Sequence, residues 1–311
     1  MNTRTRTLLV FLATSALYLQ SAAASVLPFS SVEEPLADQR YRFIDRFAAD
    51  EQNQVSRQDF VHAWQERFDA LASFANGRIS EEVFVAFEMT ELEQQLLNAR
   101  EAHIRQTLNR FNALDRDKDG TISWEEYQAS GQRIFNRFDT TEAGVVSVGD
   151  PEPAPRQRAS NNQTDTERRR VRSLLAMPTT HNNQGFLAMF AGNAQQVSLA
   201  EFEQQRRSIF DRTDSNGDGL VSRGEYLDEF MGRVGGREQE VRQAHRELAQ
   251  QVFRQMDTAQ SGWLNKKDFV AYGLAVFQLW DTTGQQLVSE AQPLPAQEPQ
   301  MQLVQLASQQ R

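Results

Sequence analysis

Apolar residues along this chain fall into three kinds of pattern. The first is an unbroken run, Leu8 to Leu19, preceded by Arg4 and Arg6 and followed by Ala22-Ala23-Ala24. It spans about a dozen residues, whereas a membrane-crossing helix needs ~20. A positive start, a short apolar run and a small-residue end predict a cleaved secretory signal over 1–24. The second pattern is periodic. Phe60, Trp64 and Phe68 recur at every fourth position, the spacing of one helix face, and predict a helix of about fifteen residues, ~22 Å long. Phe111 and Leu114 lead into a polar stretch at 115 and Tyr127 follows it; Phe210 and Tyr226 bracket another at 214. Each predicts helix, loop, helix. The third pattern is an aliphatic residue at the same place inside each polar stretch, Ile122 and Val221, placed as the buried residue of a very short strand.

The two polar stretches carry the chemistry. Residues 115–126 read DRDKDGTISWEE and 214–225 read DSNGDGLVSRGE. Both fit a twelve-residue loop with acidic or amide groups at places one, three and five, glycine at six and glutamate at twelve. A hard divalent cation takes six to eight oxygens, so one segment must wrap around it. In the first loop the oxygens would come from Asp115, Asp117 and Asp119, the Thr121 carbonyl, Ser123 through a water, and both oxygens of Glu126. Gly120 makes the sharp turn. In the second they would come from Asp214, Asn216, Asp218, the Leu220 carbonyl, Ser222 and Glu225. The two-oxygen closure by Glu126 or Glu225 favours Ca²⁺ over the smaller, stricter Mg²⁺. Chance supplies such a match about once in 10⁵–10⁶ starting points, so two in one chain are not accidental.

Fainter copies surround them, starting at Asp139 and Asp257 and, more worn, at Ala48, Ala72, Phe190 and Asp281. The starts fall into two sets of four at a constant offset, shared by Phe68 and Phe210 (210 − 68 = 142), His103 and His245, Phe111 and Phe253, and Phe135 and Phe277. The chain is an internal duplication. The worn loops lack ligands: Ala48, Ala72 and Phe190 replace the first aspartate, Ala143 stands at the fifth place of loop 139–150, and Ala259 at the third place of loop 257–268. The last is the best secondary candidate.

Spacing gives an expected architecture of two four-loop lobes, 41–150 and 183–292, joined by a linker over 151–182 rich in Pro, Asn, Gln and Arg, with a tail over 293–311. Residues 84–114 and 226–256 are each long enough for a helical hairpin, with Gly232, Gly235 and Gly236 at the break in the second. Loop 72–83 would then back loop 115–126, loop 257–268 would back loop 214–225, and each lobe would hold one strong site. Proteolysis within 151–170 is expected to release two stable pieces.

Composition narrows the function. Asp and Glu number 42 against 33 Lys and Arg, which argues against nucleic acid as partner. There is no cysteine, so thiolate metal sites, disulfides and cysteine nucleophiles are excluded, and the four histidines have no nucleophile beside them. His103 and His245 are expected to pack. No enzymatic activity is expected. The basic run Arg168 to Arg172 reads as a solvated segment and Asn162-Gln163-Thr164 fits a glycosylation acceptor that matters only in a eukaryotic host.

The two complete loops with their helical flanks resemble the EF-hand superfamily. With the export signal, the chain is similar to periplasmic or secreted bacterial multi-EF-hand proteins, and more distantly to the calumenin and reticulocalbin group. The resemblance implies an all-α fold of tandem helix-loop-helix lobes with short paired loop strands, and Ca²⁺ binding outside the cytoplasm. The expected function is an exported, soluble calcium-binding module that is stabilised by Ca²⁺ or senses it and binds another protein, with no membrane insertion after signal cleavage. The alternatives are a scaffold or buffer whose Ca²⁺ only staples the fold and, more distantly, an exported enzyme.

Overall fold

The computed structural model describes residues 35–48, 53–75, 77–154, 175, 177, 180, 182–192 and 194–296. The expected signal at 1–24, residues 155–174 of the expected linker and the tail from 297 lie outside the described residues. Among those described, the fold is all-α with eight helices and eight strands of two or three residues. In chain order they are α1 (Leu36–Phe47), β1 (Gln54–Ser56), α2 (Arg57–Phe74), β2 (Ile79–Ser80), α3 (Glu81–Leu114), β3 (Thr121–Ser123), α4 (Trp124–Phe138) and β4 (Val145–Ser147). The second series is α5 (Asn183–Phe190), β5 (Gln196–Ser198), α6 (Leu199–Thr213), β6 (Leu220–Ser222), α7 (Arg223–Met256), β7 (Trp263–Leu264), α8 (Lys266–Trp280) and β8 (Leu287–Ser289).

Strand hands over to helix in the same way several times. Ser56, Ser123 and Ser198 end their strands in extended backbone and accept a hydrogen bond from the N–H three residues on. Ser123 with Glu126 and Ser198 with Glu201 close reciprocal capping boxes. Asn182 and Asn265 cap α5 and α8 with their side-chain oxygens. A worn loop therefore still starts a helix without the full acidic set of a complete one.

The expected helical hairpins are absent. Residues 81–114 and 223–256 are each one continuous helix of 34 residues, about 50 Å long at 1.5 Å per residue. Gly232, Gly235 and Gly236 lie inside α7. Each costs about 1 kcal/mol against alanine, but buried Phe230, Val234 and Val241 hold the helix through them. This corrects the loop pairing. Loop 72–83 pairs with loop 257–268 rather than with loop 115–126, and loop 214–225 pairs with loop 115–126 rather than with loop 257–268.

The strands instead pair across the duplication, all antiparallel: β1 with β8, β2 with β7, β3 with β6 and β4 with β5. The compact units accordingly differ from the expected lobes 41–150 and 183–292. One comprises residues 1–95 with 240–311, the other residues 96–239.

In the first unit, Phe43 of α1, Phe60 and Trp64 of α2 and Phe269 of α8 stack in sequence at centroid distances of 5.0–5.5 Å. Trp64 Nε1 donates to the Phe269 carbonyl at 2.8 Å. A Cβ at Gly273 would overlap the Trp64 indole, so α2 and α8 cross where only glycine fits. In the second unit, Phe186 of α5 stacks on Phe138 of α4 and Phe202 of α6 at 4.6 and 5.5 Å. There Arg206 takes the place of Trp64. Its Nη2 donates to the Tyr127 carbonyl at 2.7 Å, and a Cβ at Gly131 would overlap its guanidinium. Both replacements obey the sequence offset (206 − 64 and 273 − 131 are each 142). One crossing is thus built twice, with an indole in one unit and a guanidinium in the other.

Candidate metal centre

Asp115 and Asp214 end the helices that precede their loops. Their N–H groups donate to the Phe111 and Phe210 carbonyls, both at 2.9 Å, as the last helical bond before the chain turns. The turn needs left-handed backbone at Lys118 and Gly120 in one loop and at Gly217 and Gly219 in the other, with φ from 62° to 92°. Glycine adopts that conformation without penalty.

In loop 115–126 the side chains fold inward on backbone N–H groups. Asp115 Oδ2 accepts from Gly120 N at 3.2 Å, Asp117 Oδ1 from Asp119 N at 3.2 Å, and Asp119 Oδ1 from Thr121 N at 2.8 Å. Glu126 reaches back across the loop: Oε1 accepts from Arg116 N at 2.7 Å and Oε2 from Ser123 N at 2.9 Å. Partial burial opposes the Glu126 charge, but the bonds from Ser123, Arg116 and Asp117 outweigh it and hold the carboxyl below its ordinary range. Asp115 is buried, and its Oδ1 has no hydrogen-bond partner. Carboxylate oxygens of Asp115, Asp117 and Glu126 lie within 4.8 Å of one another. A buried, unpartnered carboxylate oxygen beside two more carboxylates is costly unless a cation joins them. These residues fit a hard divalent ion.

Loop 214–225 repeats the arrangement. Asp214 Oδ2 accepts from Gly219 N at 2.9 Å, Asn216 Oδ1 from Asp218 N at 2.8 Å and Asp218 Oδ1 from Leu220 N at 2.9 Å. Glu225 accepts from Ser215 N at 3.0 Å and Ser222 N at 2.9 Å. The Ser222 bonds lead in bringing its carboxyl down to about 2.

The structure brings the two loops together. β3 and β6 align Thr121 with Ser222, Ile122 with Val221 and Ser123 with Leu220. All twelve expected ligand residues, Asp115, Asp117, Asp119, Thr121, Ser123, Glu126, Asp214, Asn216, Asp218, Leu220, Ser222 and Glu225, therefore belong to one loop pair in the second unit. Ile122 and Val221 are buried at its centre with Phe111 and Phe210. Trp124 meets Phe210 edge-on at 5.5 Å, and Phe111 meets Tyr226 at 5.9 Å. Each loop thus rests on aromatic residues from the other loop's helices.

The worn loops fill their interiors differently. Asp139 accepts from Ala143 N and Gly144 N, both at 2.9 Å, and Asp150 from Ser147 N at 2.7 Å. Asp257, buried, accepts from Ser261 N and Gly262 N, and loop 257–268 pairs with loop 72–83 rather than with a complete loop. His103 and His245 are buried, as packing residues. His103 Nε2 donates to the carbonyl of Leu175, a fully buried residue within the expected linker. Nothing in the composition of 151–182 marked Leu175 as an anchor.

Residues 108–129 match the family model described as EF hand. This segment covers the end of α3, the whole first loop and the start of α4, and supports the EF-hand superfamily and a calcium-binding protein. No curated protein and no solved structure matches the chain at a significant level.

Proposed function

We propose that this is an exported, soluble calcium-binding protein that takes up two Ca²⁺ ions, one in each loop of the β3–β6 pair, and is stabilised by them as a protein-interaction module. The observation that carries the reading is the pairing of the two complete loops, with the Asp115 Oδ1 left buried and unpartnered. The ion supplies a positive centre for carboxylates that otherwise face one another. The chain supplies Asp115, Asp117, Asp119 and Glu126 in one loop and Asp214, Asn216, Asp218 and Glu225 in the other, with the Thr121 and Leu220 carbonyls and Ser123 and Ser222 completing the sets. Because Ile122 and Val221 hold the loops in one register, order imposed on one loop is felt by the other.

Export rests on the pattern of residues 1–24. No helix among the described residues is long and apolar enough to cross a membrane. The partner is a protein, since the acidic balance disfavours nucleic acid. Stabilisation with modest opening fits better than a wide calcium-driven exposure. Methionines number only 7 against 20 phenylalanines, and the aromatic rings beside the loops are committed to each other.

Calorimetry of the mature chain tests the reading. About two ions are expected to bind, with Ca²⁺ preferred over Mg²⁺. Glu126→Gln is expected to remove the first site and weaken the second several-fold through the shared strand pair. Absence of any heat with millimolar Ca²⁺ would overturn the reading. Full retention of the Glu225 site in the variant would show the loops to be independent.

A further inference from the structure

Loop 281–292 has ligand-type residues at several of the usual places, Asp281, Thr283, Gln285, the Leu287 carbonyl and Ser289, but ends in Gln292 where the complete loops end in glutamate. Its interior is arranged around that amide. Gln292 Nε2 donates to Thr283 Oγ1 at 2.8 Å and to the Leu287 carbonyl at 2.8 Å. These are the third and seventh places, the same ones that Asp117 and the Thr121 carbonyl hold in the first complete loop. Gln292 Oε1 accepts from Ser289 N at 3.3 Å, the counterpart of the bond from Ser123 N to Glu126.

We infer that the Gln292 carboxamide takes the place of a cation in this loop, closing it without metal. The proton balance is complete. An amide nitrogen carries two hydrogens, and both find inward-facing oxygens. Thr283, having accepted one, directs its own hydroxyl proton to Asp281 Oδ1 at 3.4 Å. Asp281 is further satisfied by Gln285 N at 3.1 Å and Gln286 N at 2.7 Å. A cation entering here would meet an amide N–H₂ pointing at it and would gain one neutral oxygen at most from the closing residue.

Two further contacts fix the closed form. Arg40 of α1, buried, donates to the Glu290 carbonyl at 2.8 Å and to the Gln292 carbonyl. Arg57 N donates to the Gln286 carbonyl at 3.0 Å, beside the β1–β8 register. The partner loop begins with Ala48, so no first-place carboxylate faces the pair from that side. The latch lies within the first unit, and it would stand even if the β3–β6 loops bound no metal.

The full mature chain tests this with EDTA or Ca²⁺ as the only variable. Gln292→Ala is expected to lower the melting temperature by about 3–6 °C, equally with and without Ca²⁺, as the three hydrogen bonds of the side chain are lost. Gln292→Glu leaves Thr283 and Leu287 facing a carboxylate. It is expected to lower the melting temperature in EDTA, recover part of it in Ca²⁺ and add one calcium-binding heat. Unchanged stability of Gln292→Ala in EDTA would overturn the latch, as would a Gln292→Glu variant indifferent to Ca²⁺ or a wild-type ion lost in Gln292→Ala. Should the variants fail to fold, side-chain amide exchange decides on the wild type. Slow exchange of the Gln292 N–H₂ protons in EDTA supports the latch, and exchange at the free-glutamine rate refutes it.

Discussion

His245 is buried in the first unit, where desolvation dominates and its hydrogen bond to the Glu88 backbone and the nearby Arg46 charge are smaller influences. The imidazole is held down to about 4, from an ordinary value of 6.5. The sign of the consequence follows from linkage. Above pH 6.5 the ring is neutral in folded and unfolded chains alike and has no effect. As pH falls below that value, the unfolded chain takes up a proton that the fold refuses, and stability is lost until the folded ring protonates near pH 4. The full loss is roughly 3 kcal/mol. Urea unfolding at pH 7 and pH 4.5 is expected to show a larger drop for the wild type than for His245→Gln, by about 2–3 kcal/mol. Carboxylates titrate in both proteins and cancel in the comparison. Equal drops would show that the ring is not buried as described.

Helices α3 and α7 decide at the next scale which loops can meet. Each runs unbroken between two loops that are neighbours in sequence, and α7 does so despite Gly232, Gly235 and Gly236. None of the three needs to be glycine: apart from the adjacent helix backbone no atom lies within 4 Å of a Cβ built there, and none has positive φ. Alanine at Gly235 and Gly236 is therefore expected to stabilise by about 1 kcal/mol each, raising the melting temperature by a few degrees. A lower melting temperature for the double variant would mean that α7 bends at these residues. Gly131 and Gly273 are the contrasting case, since a methyl group at either would displace Arg206 or Trp64 from its carbonyl partner.

At the scale of the whole chain, each of the four strand pairs joins a residue before the 155–174 segment to one after it. Cleavage within that segment is accordingly expected to leave two fragments that co-elute as one species and part only in denaturant. This replaces the expectation of two independent pieces. The two proposed calcium sites would then reside on different fragments and still be retained, because Ile122 and Val221 meet whether or not the backbone between them is intact. Separation of the fragments in plain buffer would refute the cross-duplication pairing.

The sequence by itself determined what is local. Twelve consecutive residues define each complete loop, so Asp115 to Glu126 and Asp214 to Glu225 were legible from spacing as candidate cation loops, as were the aromatic helix flanks and the buried Ile122 and Val221. The principle that loops at opposite ends of one helix do not pair was also legible for loops 48–59 and 72–83, and α2 bears it out. Residues 84–114 and 226–256 are long enough for a turn, and the second stretch also carries Gly232, Gly235 and Gly236. Only tertiary structure decided that those stretches stay helical. A glycine's cost of about 1 kcal/mol is set against the burial of Phe230, Val234 and Val241, which depends on distant partners. That choice moved both complete loops into one unit. The Gln292 latch belongs to the same class: the missing glutamate was visible in the sequence, but the direction of an amide N–H₂ is set by Thr283 and Leu287 only once the loop has closed around it.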